Sequence, residues 1–179
     1  CASVNTDHRT PTAALWRLEE GTLPVLMEDG LTVGNGIAWS PDDRRMYLAD
    51  TLAGVVWQYD FDLASGALAN RRLFVSTAHI RGFVDGATVD ADGFYWAALF
   101  RGGAVAQFDP DGKLVRHIRL PVSNPTMCTF GGPDLDILYV TTASRFLDSA
   151  QRRDQPLAGH LFAITGTGAR GLAEPRFGA

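Results

Sequence analysis

Cysteine, long apolar runs, basic clusters and helical periodicity are all scarce in this chain of 179 residues. Cys1 and Cys128 are the only cysteines, so a disulfide framework is not what holds the fold together, and a reducing, cytoplasmic setting is expected. Asp, Arg or Gly interrupts every hydrophobic segment before it reaches the roughly 20 residues needed to cross a bilayer. No membrane span is therefore expected. The 16 basic and 20 acidic residues are scattered, giving a formal charge of −4 and no Lys/Arg-rich run to neutralise phosphates. Nucleic acid is a poor candidate partner. The opening CASVNTDHRT has no basic head followed by an apolar stretch, so it does not read as a signal peptide. It also has no initiator Met and reads as the inside of a strand, from which further residues upstream are expected.

What is present is β-rich. The chain is 46% hydrophobic and 20% charged, as in ordinary globular proteins. Short runs of Val, Ile, Tyr, Phe and Trp alternate with turn signals, and Asp29-Gly30, Ser65-Gly66, Asp92-Gly93 and Asp111-Gly112 each read as a hairpin connection. The class is all-β.

Internal repetition specifies the architecture. NGIAWSPDDRRMYLADTLAGVVWQYD from Asn35 aligns with DGATVDADGFYWAALFRGGAVAQFD from Asp85. Gly36 falls on Gly86, Asp42 on Asp92, Tyr47 on Tyr95, Ala49 on Ala97, Gly54 on Gly103, Val56 on Val105 and Asp60 on Asp109. A looser copy starts at Thr126, with Tyr139 in the Tyr47 place and GHLFAI in the GVVWQY place. The first full unit reads as strands at 36–39, 46–50, 55–59 and 71–75, and each copy is expected to end in a further strand. Four antiparallel strands repeating every 40 to 50 or so residues is the pattern of β-propeller blades. About three and a half blades are expected, forming one partial domain over residues 1–179. Because each blade must cover both faces, missing blades or another chain are needed to close the arc.

Inner strands of a propeller flank the central channel, so their first residues converge on one mouth. Those positions are Asn35, Asp85 and Thr126. An amide and a carboxylate oxygen, with no nearby Cys or paired His, suit a hard cation such as calcium, magnesium or manganese. The alternative is that Asn35-Gly36 and Asp85-Gly86 are simply turn dipeptides needing positive φ.

The runs VGNGIAWSPDDRRMYLADT, YDFDLASGALANRRLF, VDGATVDADGFYWAALFRGGAVAQFDPDGKLVRHIRLPV and NPTMCTFGGPDLDILYVTTAS resemble successive signatures of the senescence-marker-protein, regucalcin and gluconolactonase family. The resemblance covers essentially the whole chain, and places it on roughly the C-terminal three fifths of a six-bladed member. It also implies that LAGHLFAI to GLAEPRFGA forms the family's closing strand. It implies one divalent metal (calcium, zinc, manganese, magnesium or iron) held by a Glu of the first blade, an Asn and an Asp, whose places Asn35 and Asp85 take. It further implies that Asp85 is the base activating water for hydrolysis of a sugar lactone such as gluconolactone, arabinolactone or xylonolactone. The family's metal Glu and its sugar-contacting Arg and Asn have no counterpart here. Relatives commonly carry Thr or Ser, then Met and Asp, where this chain has Ser3 to Asn5. The competing reading is a non-catalytic binding scaffold.

Other residues invite less. His8 and Arg9 would touch a ligand only if the NTDHRTPT loop arched over the mouth, and otherwise belong to a solvated loop. His79, His117 and His160 have no ligand spacing. Asp90, Asp92 and Gly93 resemble the start of a calcium loop but lack its later acidic residue, so a hairpin explains them better. Asp50 ends a strand and aligns with Ala98, which leaves it without an assigned role. Cys128 reads as a small core residue and Trp16, Trp39, Trp57 and Trp96 as packing between blades, and there is no GxSxG.

Overall fold

The computed structural model describes residues 2, 3 and 10–174, and among these the secondary structure is thirteen strands and one short helix. β1 (Ala13–Arg17) pairs antiparallel with β2 (Val25–Leu31), and Ala2 bridges Leu15 on the other side of β1. A four-stranded meander follows: β3 (Gly34–Trp39), β4 (Arg45–Asp50), β5 (Val55–Asp62) and β6 (Ala67–Ser76). A second repeats it with β7 (Phe83–Val89), β8 (Tyr95–Phe100), β9 (Ala104–Phe108) and β10 (Leu114–Arg119). The last sheet holds β11 (Pro125–Gly131), β12 (Ile137–Thr142) and β13 (Leu161–Ile164), with α1 (Ser149–Asp154) inserted before β13. This is the expected arc of antiparallel propeller blades, two of them complete.

Sequence explains the stacking. β8 and β9 are buried on both faces, so neither can be satisfied by a single neighbour. Met46, Leu48 and Tyr59 of the second sheet close on Ala13, Leu15 and Leu31 of the first. Its other face carries Tyr47, Ala49 and Val56 against Val84, Tyr95 and Ala97 of the third, with the Tyr47 and Tyr95 rings 5.4 Å apart. Trp96 and Val105 then meet Cys128, Leu138 and Val140 of the fourth. Three dry seams thus join four sheets. At the two ends of the stack Val25 and Leu26, and Met127 and Leu161, stay exposed. No helix among the described residues is long and apolar enough to cross a membrane.

The structure revises several sequence readings. Tyr47 and Tyr95 are not equivalent. Ala49 pairs with Val56 as Ala98 pairs with Val105, which makes Trp96 the counterpart of Tyr47 and Leu99 the counterpart of Asp50. A one-residue slip in a strand turns every side chain to the opposite face, and two adjacent aromatics at 95 and 96 hid it from the alignment. Asp29-Gly30 is not a hairpin turn. It lies inside β2, where Gly30 at φ 71° forms a bulge between the pairs Leu15↔Glu28 and Ala13↔Leu31. The other three dipeptides do join consecutive strands. Trp96 is fully buried between blades as expected, whereas Trp39 is 42% exposed and Trp57 stacks beneath Arg71.

The strand expected after β13 is absent among the described residues. Gly166 and Gly168, both at positive φ, turn the chain away, and 167–171 crosses the ends of two sheets instead. There the Ala91 N–H donates to the Arg170 carbonyl at 2.8 Å, and the Gly171 N–H donates to the Leu135 carbonyl at 2.8 Å. Cys128 is a buried free thiol whose pKa burial pushes up to about 12, in keeping with a core role.

Asp90 anchors the β7–β8 hairpin rather than a calcium ion. It accepts from the Asp92 N–H at 3.0 Å, the Phe94 N–H at 2.9 Å and the Trp96 indole N–H at 2.8 Å, while being 1% exposed. Asp90→Ala strands the buried Trp96 indole N–H and two part-buried backbone N–H groups and is expected to cost roughly 3–5 kcal/mol in urea unfolding. A loss below about 1 kcal/mol would contradict this anchoring role.

Candidate functional site

The three innermost strands, β3, β7 and β11, lie against one another. The Tyr95 hydroxyl donates to the Gly36 carbonyl at 2.8 Å, and a side chain at Gly36 would collide with that hydroxyl. A side chain at Gly86 would lie 2.8 Å from the Thr126 carbonyl oxygen and strike the Met127 sulfur. Both glycines therefore answer to close approach between blades. Gly36 does adopt φ 54°, but within a strand, so neither dipeptide is a turn.

Each inner strand carries one extra residue at the same level. The register passes from Asn35↔Ala49 to Ala38↔Tyr47, from Val84↔Leu99 to Ala87↔Ala97, and from Pro125↔Thr142 to Met127↔Thr141. A bulge breaks the alternation and re-aims a side chain, a device common beside active sites. Asp85 and Thr126 lie within their bulges and Asn35 at the edge of its own, so the three positions are equivalent in the three inner strands.

Asn35 is linked through a single hydroxyl to the backbone just before Asp85. Asn35 Nδ2 donates to Thr51 Oγ1 at 3.0 Å, and that hydroxyl donates to the Val84 carbonyl at 2.8 Å, in the peptide immediately before Asp85. With Nδ2 engaged, Asn35 keeps Oδ1 as its open acceptor. Asp50 holds this corner from below. Its carboxylate accepts from the Thr32 hydroxyl and from the N–H groups of Thr32 and Val33, at 3.1 and 3.2 Å, fixing the link that leads into β3. The sequence reading missed Thr51 and left Asp50 without a role. The available signal was an acid closing the apolar run MYLA, followed at once by a hydroxyl residue.

Asp85 differs from every other buried aspartate here. It is half-buried, no described residue donates a hydrogen bond to it, and burial alone raises its pKa to about 6. Thr126, the third ring position, shares a hydrogen bond with Thr141 at 2.8 Å across its own hairpin. Among the described residues no group of three His, Cys, Asp or Glu could hold a metal ion. His79, His117 and His160 are exposed on separate elements. His8 and Arg9 lie outside the described residues. Ser3 ties its hydroxyl to the Ala14 backbone, and Val4 and Asn5, which follow it, lie outside the described residues.

A half-buried carboxylate to which no described residue donates a hydrogen bond can accept a proton or share a cation. A family model described as the SMP-30/Gluconolactonase/LRE-like region matches residues 1–144. Regucalcin of Xenopus laevis is 37% identical over 150 residues, covering 83% of this chain and 50% of the relative. Human regucalcin is 38% identical over 146 residues, covering 81% and 49%. The chain thus spans about half the length of the curated relatives it matches. Among solved structures, a regucalcin of Agrobacterium tumefaciens described as calcium-binding has a TM-score of 0.91 at 27% identity, covering 97% of this chain and 59% of that one. A gluconolactonase of Xanthomonas campestris has a TM-score of 0.63 at 32% identity, covering 73% and 41%.

The raised pKa of Asp85 predicts a pH-dependent stability in metal-free protein. Its contribution is fully present below the usual carboxylate value of about 4 and is lost as pH rises through the folded-state value. In the presence of chelator, Asp85→Asn is expected to melt above the parent at pH 8 and level with it at pH 4. Equal melting temperatures at both pH values would show that the carboxylate bears no burial cost.

Proposed function

We propose, on the premise that this chain belongs to the SMP-30/gluconolactonase/LRE-like family, that the whole protein hydrolyses a sugar lactone to its aldonic acid. The observation that carries this reading is Asp85: a half-buried carboxylate with no donor among the described residues, raised to about 6, on a bulge of the inner strand next to the one that carries Asn35. A base of that pKa holds and releases a proton readily near neutral pH.

The residues present fit a divalent cation. Asn35 offers Oδ1, Asp85 offers a desolvated carboxylate, and a Glu outside this chain is the third ligand that the family resemblance implies. Oxygen donors accommodate calcium, zinc, manganese, magnesium or iron. A bound cation supplies polarisation of the lactone carbonyl and charge neutralisation at its oxygen. Asp85 takes a proton from water as the water oxygen joins the acyl carbon. That proton passes to the ring oxygen as the acyl–oxygen bond breaks, leaving a free hydroxyl and a carboxylic acid. Thr51 keeps the Asn35 amide from rotating, so that oxygen rather than nitrogen faces the reacting centre.

The blades that complete the propeller would cover Val25 and Leu26 at one end of the arc and Met127 and Leu161 at the other. The buried thiol of Cys128 suits a cytoplasmic setting. A non-catalytic scaffold is the weaker reading, because a purely structural blade gains nothing from an unpaired, desolvated carboxylate at this level.

The test is proton release from a panel of sugar lactones in a pH-stat, with each divalent metal in turn, using the whole protein. Asp85→Asn is expected to lower kcat/KM by about 10³-fold with the fold intact, and undiminished hydrolysis by this variant would refute the assignment. Thr51→Val is expected to weaken metal affinity by about 10- to 100-fold, read by competition with a metal indicator dye. Unchanged affinity would remove Thr51 from the site.

A further inference from the structure

We propose that a second site, independent of the lactonase reading, binds a phosphoryl group. It is a cavity of about 310 Å³ at the same end of the third sheet as Asp85. Arg81 precedes β7, Arg101 to Gly103 form the β8–β9 turn, Arg119 to Ser123 leave β10, and Gln155 follows α1. Its charged lining residues are three arginines, with no carboxylate among them. In a chain of net charge −4, that is a local reversal of sign.

The three arginines are exposed to solvent, and no described carboxylate pairs with them. The ion pairs among the described residues use Arg17, Arg71 and Arg72, and none involves Arg81, Arg101 or Arg119. Backbone packing sets two of them side by side. A Cβ on Gly82 would lie 2.6 Å from the Gly102 Cα, and one on Gly102 would lie 2.5 Å from the Arg81 carbonyl oxygen. The Arg81-Gly82 and Arg101-Gly102 dipeptides are therefore back to back, at a spacing only glycine permits. Arg101 is at φ 61°, a conformation that costs a non-glycine residue energy and persists where surrounding structure enforces it. Its guanidinium carbon sits 5.9 Å from the Phe146 ring centre, and that of Arg145 sits 4.7 Å from it. A ring face places a cation without cancelling its charge.

The wall between them is also prepared. Gln155 Oε1 accepts from the Ser123 N–H at 2.7 Å and from the Ser123 hydroxyl at 2.9 Å. With its oxygen so occupied, the Gln155 side chain offers donors only. Three exposed cations lining one cavity, with no acid in its wall, favour an anion that enters it from solvent. Guanidinium forks from three chain segments match the several oxygens and double charge of a phosphoryl group better than the two oxygens of a single carboxylate. The cavity has room for a small organic group carrying it.

Calorimetry on the whole protein with inorganic phosphate, glucose 6-phosphate and unphosphorylated glucose tests this. Saturable binding of either phosphate, with none of glucose, is the expected result. Tighter binding of the ester identifies a phosphorylated metabolite as the ligand class, and equal binding identifies free phosphate. An R81Q/R119Q double variant is expected to lose at least about tenfold in affinity, the loss associated with a charge-assisted hydrogen bond, while R44Q on the neighbouring blade binds as the parent does. Should the double variant melt early, amide shifts of Gly102, Gly103 and Ser123 in the parent on phosphate addition decide the matter. Absent shifts there, or undiminished affinity in a folded double variant, would overturn the proposal. Because no step uses Asp85, D85N is expected to retain phosphate binding even where lactone hydrolysis is lost.

Discussion

A sheet that is apolar on both faces cannot rest in water by itself, and everything described above follows from that constraint. In β8 the side chains of Tyr95 and Ala97 enter one seam while Trp96 enters the next. Alternation in a strand makes such a sheet an adhesive on two sides, so sheets accumulate face to face. Aromatic pairs such as Tyr47 with Phe74, 4.8 Å apart, and Trp96 with Phe130, 5.4 Å apart, fix the spacing. Rigid seams bring the inner strands within reach of one another, and that closeness is why Gly36 and Gly86 tolerate no side chain. The site is thus a by-product of packing: bulges on neighbouring inner strands have no way to avoid meeting.

Much of this was legible in the residues, and the part that was not has a physical explanation. Turn dipeptides and a repeating pattern of apolar runs disclosed blades, their number and the equivalence of Asn35, Asp85 and Thr126. Backbone-determined positions of that kind depend on local chemistry. The alignment failed at Tyr95 because aromatics stand at both 95 and 96, and residue type alone does not say which faces which seam. Asp29-Gly30 failed because the same conformational freedom serves a bulge and a hairpin. Thr51 was invisible because a hydroxyl bridging two blades leaves no periodic trace, and the further strand expected to end the third copy is absent among the described residues because two glycines divert the chain.

Aspartates of this chain show how environment, rather than residue type, assigns a task. Asp90 spends its oxygens on three donors and is structural. Asp50, equally buried, spends its own on Thr32 and Val33 and so stiffens the approach to β3. Asp42 and Asp62, out in the turns, are kept below the ordinary carboxylate range chiefly by the hydroxyls of Ser40 and Ser65. Asp85 alone combines burial with an absence of described donors. A carboxylate in that condition has unspent capacity.

The stretch from Thr167 to Gly171 has a mechanical meaning. Its hydrogen bonds to Ala91 and Leu135 fasten the third and fourth sheets together at their hairpin ends, away from the bulges. The same two sheets meet at the opposite rim through the close approach of Gly86 to Thr126 and Met127, so the pair is held at both ends of its strands.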